Sequence, residues 1–216
     1  MNSMSDHFEE LPALFPADFF ALSSDLFYSK KAPSAKKTFL LPDTSFLLGE
    51  ETFAKVFMAW NEKGIFVEVE IDKVFEECFF PEYSQGDSVE LFFDTRDLKT
   101  AGFATRFCHH FLILPREVDG VKSQEISHFR TEDRHPLCDP AELEVETKFG
   151  RKEYTLKIFI PSSCLHGYEP FSFDRLGFNY RINRYHGEPQ HFSVSSQFYF
   201  IGQQPSLWSS LKLLKE

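Results

Sequence analysis

Gly86-Asp87-Ser88-Val89-Glu90-Leu91-Phe92-Phe93-Asp94-Thr95-Arg96-Asp97 decides the fold class. Val89, Leu91 and Phe93 alternate with Ser88, Glu90 and Asp94, and Phe92 falls among the polar set. A period of two over this length predicts a strand with one face in a core and the other wet or lining a site. Gly86 ahead and the cluster 94–97 behind mark its ends. Carboxylates are depleted in mid-strand, so Glu90 there points to a used face.

Working outward, the same period recurs on both sides. Residues 53–60, a turn at Asn61-Glu62-Lys63-Gly64 and residues 65–72 read as a hairpin with a four-residue loop. Residues 106–114 predict a strand stopped by Pro115, and 115–140 hold no clear period. Residues 142–149, a turn at 150–152 and residues 153–160 predict a second hairpin. In 176–184, Leu176, Phe178, Tyr180 and Ile182 oppose Gly177, Asn179, Arg181 and Asn183. Residues 191–200 and 209–214 complete about eight to ten strands, with no long amphipathic helix. The pattern predicts an all-β, two-sheet antiparallel sandwich of jelly-roll-like kind, with short helical turns in its loops. Residues 1–37 are read as an N-terminal extension and loop, either an extended lead-in or a short helix. The single sandwich domain then spans 38–216.

Composition narrows the function. The 216 residues carry a formal charge of −10, with the charges interspersed, which argues against a nucleic-acid binder. No run approaches the roughly 18 apolar residues of a membrane helix. The start Met1-Asn2-Ser3-Met4-Ser5-Asp6 has neither a basic nor an apolar signal region, so a cytoplasmic location is expected. The four cysteines, Cys78, Cys108, Cys138 and Cys164, lack C-x-x-C spacing and are expected as reduced thiols. The 27 phenylalanines are read as core.

A hydrolytic pair of Glu90 and Asp94 would sit about 13 Å apart at ~3.3 Å per residue. Glycosidase carboxylates lie ~5–9.5 Å apart, so a glycoside hydrolase is set aside and no enzyme is expected. Glu90 can instead accept two hydroxyl hydrogen bonds from a ligand, or pair with Arg106 or Arg181 across the sheet. Asn179, Arg181 and Asn183 offer further donors and acceptors on that face. Cys108, His109, His110, His135 and Cys138 are zinc-ligand types. Adjacent His109 and His110 face opposite ways on a strand, however, and His135-x-x-Cys138 is weak spacing. No metal site is assigned. The 94–97 turn could hold calcium, but Arg96 in its middle reads as self-neutralisation.

Five segments in order carry a family resemblance: 56–67, 86–94, 154–161, Leu176-Gly177-Phe178-Asn179, and 205–213 beginning Pro205-Ser206-Leu207-Trp208. Across about residues 53–214 the chain resembles family 9 carbohydrate-binding modules and the wider DOMON-like sandwiches. Asp94-Thr95-Arg96-Asp97 with Thr105-Arg106-Phe107-Cys108-His109 is also similar to a poorly characterised bacterial subgroup of them. The resemblance implies a non-catalytic sandwich gripping a sugar end between two rings, with structural calcium nearby. It implies Glu90 as a ligand contact and places an arginine near Arg106. Its two stacking rings fall beside Ser84, next to Tyr83, and near Gly202, where Tyr199 or Phe200 would substitute. Trp60 and Trp208 match structural positions. The expected ligand is a glycan or other polyol, bound by Glu90, Arg106, Asn179, Arg181, Tyr83, Tyr199 and Phe200. The alternative is an intracellular protein-interaction sandwich that has lost its sugar clamp.

Overall fold

The computed structural model describes residues 22–33 and 37–215. Among them, eleven strands form two sheets. The larger runs β1 (Ser23–Phe27), β11 (Ser209–Leu214), β9 (Arg175–Asn183), β4 (Ser88–Asp94), β5 (Cys108–Val118) and β6 (Val121–Glu125), and β10 (Gln190–His191) also pairs with β9. The smaller runs β2 (Ala54–Asn61), β3 (Gly64–Ile71), β8 (Tyr154–Pro161) and β7 (Glu144–Phe149). Pairing is antiparallel except where β1 lies parallel to β11. The architecture is an all-β sandwich with short 3-10 turns and one four-residue helix, α1 (Ser45–Leu48).

The alternation in the sequence explains the layers. Val89, Leu91 and Phe93 of β4 join Phe178, Tyr180 and Ile182 of β9 on the inner face of the larger sheet. They pack there against Val67 and Val69 of β3 and Leu156 and Ile158 of β8. Both tryptophans are structural: Trp60 donates from Nε1 to the Leu26 carbonyl at 2.9 Å, and Trp208 to that of Ile201 at 2.7 Å. The β2–β3 turn is tighter than expected. Asn61 pairs directly with Gly64, leaving two loop residues. Gly64 has φ +148, and a Cβ there would lie 2.1 Å from the Ile160 carbonyl oxygen, so the close pairing with β8 requires glycine.

Four sequence expectations are corrected. Pro115 does not stop β5, which continues to Val118 across an irregular register between Ile113 and Val118. Position 115 lies beyond the last β4 partner, so no pairing with that central strand is lost. Polar β6, hidden in the aperiodic 115–140, pairs with β5. Residues 192–200 are turns rather than strand. Cys138 and Cys164 are not both free thiols: the fold brings their Cα atoms to 4.8 Å in a disulfide, while Cys78 and Cys108 are free and buried. A 26-residue separation leaves no spacing signature for such a pair. The stretch read as an N-terminal extension contributes β1 to the sheet, in the extended form, and its first 21 residues lie outside the described ones. No helix among the described residues is long and apolar enough to cross a membrane.

Candidate functional site

The outer face of the larger sheet carries the chemistry. Ser88, Glu90, Phe92 and Asp94 project there and are nonetheless buried, because the turns of 192–208 and the segments 78–83 and 126–129 fold over them. Val194, Ile201 and Trp208 pack on Phe92 and Cys108 and anchor this cover. Burial pushes the Cys108 thiol up to about 12, so it packs as a small hydrophobe.

Glu90 is fully buried and four nitrogens hold it. The register sets Arg181 directly opposite on β9, and His110 opposite Phe92, diagonal to Glu90. Arg181 donates from Nε to Oε1 at 2.6 Å and from an Nη to Oε2 at 2.8 Å. Asn183 donates to Oε1 and His110 Nε2 to Oε2, both at 2.8 Å. Burial by itself would raise this carboxyl. The hydrogen bond from His110 and the charge of Arg181 outweigh it and hold the group at about 2. Of the two cross-sheet partners the sequence offers Glu90, Arg181 is the one that pairs.

A cavity of about 440 Å³ opens in front of these partners, lined by Tyr83, Phe92, His110, Arg181, Tyr199 and Phe200 among others. That volume suits a small ligand, since such sites run roughly 300–1,000 Å³. Arg181 spends two of its N–H groups on Glu90, and a guanidinium has five. His110 donates from Nε2, which leaves Nδ1 as an acceptor when the ring is neutral. A Cβ on Gly202, which also lines the cavity, would come 3.4 Å from that Nδ1 and 3.3 Å from Phe92. The floor thus presents donors and an acceptor side by side, backed by Phe92, whose ring centroid is 4.2 Å from that of His110. Phe200, 80% exposed, forms part of the rim.

The residues named from sequence separate cleanly. Arg181, Tyr83, Tyr199 and Phe200 meet at the cavity. Glu90 stands behind it, with no exposed surface of its own. Asn179 is buried beside Phe92 in the β4–β9 register and accepts the Tyr180 N–H; it does not line the cavity. Arg106 lies outside, paired with Asp133. His110 and Gly202 are among the lining residues without a ligand role in the sequence reading, and strand alternation puts His110 on the Glu90 face. The 94–97 turn is satisfied internally: Asp94 accepts from the N–H groups of Arg96 and Leu98, and Asp97 from the Ser210 hydroxyl at 2.6 Å.

One wall carries a hydrogen-bonded chain of Ser196, His191 and Glu50. Ser196 Oγ lies 2.8 Å from His191 Nε2, and His191 Nδ1 lies 2.7 Å from Glu50. This is the order of nucleophile, base and orienting acid. The Ser196 backbone N–H also donates to the same Nε2 at 3.1 Å, so the imidazole lone pair closes the 191–196 turn.

No family model and no curated protein matches the sequence. Solved structures do match. A family 9 carbohydrate-binding module from Caldicellulosiruptor kristjanssonii, in complex with cellotriose, superposes with TM-score 0.60 at 16% identity over 90% of this chain and 95% of that one. The same module with glucose gives TM-score 0.60 at 16% identity over 89% and 97%. A candidate carbohydrate-binding protein from Bacteroides uniformis gives 0.51 at 10% identity over 89% and 98%. The chain shares the fold of family 9 carbohydrate-binding modules. That likeness to carbohydrate-binding modules spans the whole sandwich rather than one motif.

Proposed function

We propose that this protein is a non-catalytic binder of a glycan or another polyhydroxylated ligand, seated in the cavity over the outer face of the larger sheet. The observation that carries the proposal is the cavity floor, where Arg181 and His110 are fixed in place by a carboxylate buried behind them. Paired hydroxyls on a sugar ring donate to His110 Nδ1 and accept from Arg181, while Tyr83, Tyr199 and Phe200 pack on its apolar faces. Glu90 acts through its partners, as a positioning residue. The complexes of the family 9 module with cellotriose and glucose support the class of ligand. A binder rather than an enzyme is supported by Glu90 and Asp94, whose oxygens are engaged within the protein.

A glycan array followed by calorimetry tests this. Binding to at least one neutral glycan, weakened tenfold or more in Tyr199→Ala, is the expected result. An empty array, or equal binding by the variant, contradicts it. A second reading, a protein-interaction sandwich, is favoured by one observation: Phe198 and Phe200, two residues apart in the cover, are 72% and 80% exposed. A stoichiometric protein partner lost in Phe198→Ala, with no glycan bound, would select it.

A further inference from the structure

On the opposite face of β5 from the cavity, three buried side chains converge. His109 of β5, Glu125 of β6 and His135 of the 126–139 loop are 1%, 4% and 6% exposed, and their ligand-type atoms all lie within 4.8 Å of one another. Both rings lie within hydrogen-bonding distance of one Glu125 oxygen, and their tautomers decide what they present to it. A neutral imidazole has one N–H and one lone pair. His135 Nδ1 is 2.6 Å from the Arg106 carbonyl oxygen, which only accepts, so Nδ1 carries the hydrogen. Nε2 then turns its lone pair on Glu125 Oε1 at 2.8 Å. His109 repeats the arrangement more loosely. Its Nε2 faces the His166 carbonyl at 3.5 Å, and its Nδ1 lies 2.9 Å from the same Glu125 oxygen. With both rings in these tautomers, two lone pairs and a carboxylate oxygen meet at one point. Protonating both rings would set two imidazolium groups 4.3 Å apart, centroid to centroid, beside one carboxylate.

We propose that His109, Glu125 and His135 form a structural binding site for a divalent transition-metal ion of the zinc type. Two imidazole nitrogens and one carboxylate oxygen suit zinc, cobalt or nickel, whereas calcium and magnesium prefer all-oxygen sets. The surroundings are those of a ligand set. Each histidine directs its distal nitrogen at a backbone carbonyl, the partner that usually fixes a metal-bound imidazole. Glu125 is oriented by the Ser127 hydroxyl at 2.6 Å on Oε1 and the Cys138 N–H at 2.8 Å on Oε2. The Cys138–Cys164 disulfide ties the loop bearing His135 to the segment bearing His166, whose exposed ring stacks on His135 at 5.6 Å. A metal here would pin that loop, which also forms one side of the ligand cavity through Ile126 and His128.

The test uses the full chain without an affinity tag, produced in zinc-supplemented medium and assayed for metal by mass spectrometry. The chain is then stripped with chelator and titrated with Co2+, Zn2+ and Ca2+. The expected results are one transition-metal ion per chain, visible d–d absorption from tetrahedral cobalt, and a rise in Tm of several degrees with Zn2+ but not with Ca2+. His135→Gln and Glu125→Gln are each expected to weaken cobalt binding at least tenfold. Sub-stoichiometric metal together with no cobalt band in the wild-type chain would overturn the proposal, as would undiminished binding in both variants. Should both variants fail to fold, the wild-type spectrum decides alone. The carbohydrate reading stands or falls separately, since His109 and His110 face opposite sides of the sheet.

Discussion

Glu90 and Glu125 are both buried carboxylates on the larger sheet, and both are surrounded by nitrogen, yet they are balanced differently. Glu90 meets a guanidinium, which stays cationic at every relevant pH, so its charge is neutralised inside the fold. The cavity in front of it is then free to take a ligand from outside. Glu125 meets two imidazoles whose charge is not fixed, and each has its distal nitrogen engaged elsewhere. The first arrangement is complete in the protein alone; the second calls for a cation. Neighbouring residues on one strand, His110 and His109, serve these two sites because a β-strand sends successive side chains to opposite faces.

The comparison can be broken at Arg181. Arg181→Met should leave Glu90 buried and charged with only His110 and Asn183, costing about 3–5 kcal/mol of stability in a denaturant titration. A cost below 1 kcal/mol would mean that Glu90 is not balanced internally. Acid sharpens the same point. The Glu90 carboxyl lies near 2 in the folded protein, against 4.5 when unfolded. Its contribution, about 3 kcal/mol, is present above pH 4.5 and is lost as pH falls toward 2. Glu90→Gln should therefore flatten the acid limb of stability against pH, and an unchanged limb would argue that other groups set it.

How much of this was legible in the sequence follows from periodicity. Val89, Leu91 and Phe93 alternate strictly, so the inner face of β4 and the sandwich itself could be read directly. Arg181 was a visible partner for Glu90 because both lie in strands of period two. What stayed hidden depends on residues without a period. Val121-Lys122-Ser123-Gln124-Glu125 is too polar to read as a strand, so Glu125 went unplaced and its meeting with His109 was invisible. The stretch 191–200 reads as a strand, but 192–200 folds as turns in the cover held by Trp208 and His191. Arg106 follows the end of β4 by a loop, and no pattern in the sequence could have shown it turning to Asp133.

Smaller effects belong to the cavity itself. Gly202→Leu would project a side chain toward Phe92 and His110, and should cut glycan affinity at least tenfold, about 1.4 kcal/mol, in calorimetry. Phe200→Ala removes an exposed ring. Stability should change by less than about 0.5 kcal/mol, while affinity falls several-fold, from lost packing worth about 1 kcal/mol. Equal affinity in both variants would move the ligand off this face.

The most direct measurement is a crystal soaked with glucose or cellotriose. The sugar should lie on the outer face of the larger sheet, between Tyr83 and the Tyr199–Phe200 rim, within hydrogen-bonding distance of Arg181 or His110. Density for the sugar in the groove lined by Phe66 and Phe159 on the smaller sheet, with the Arg181 cavity holding only water, would contradict the account.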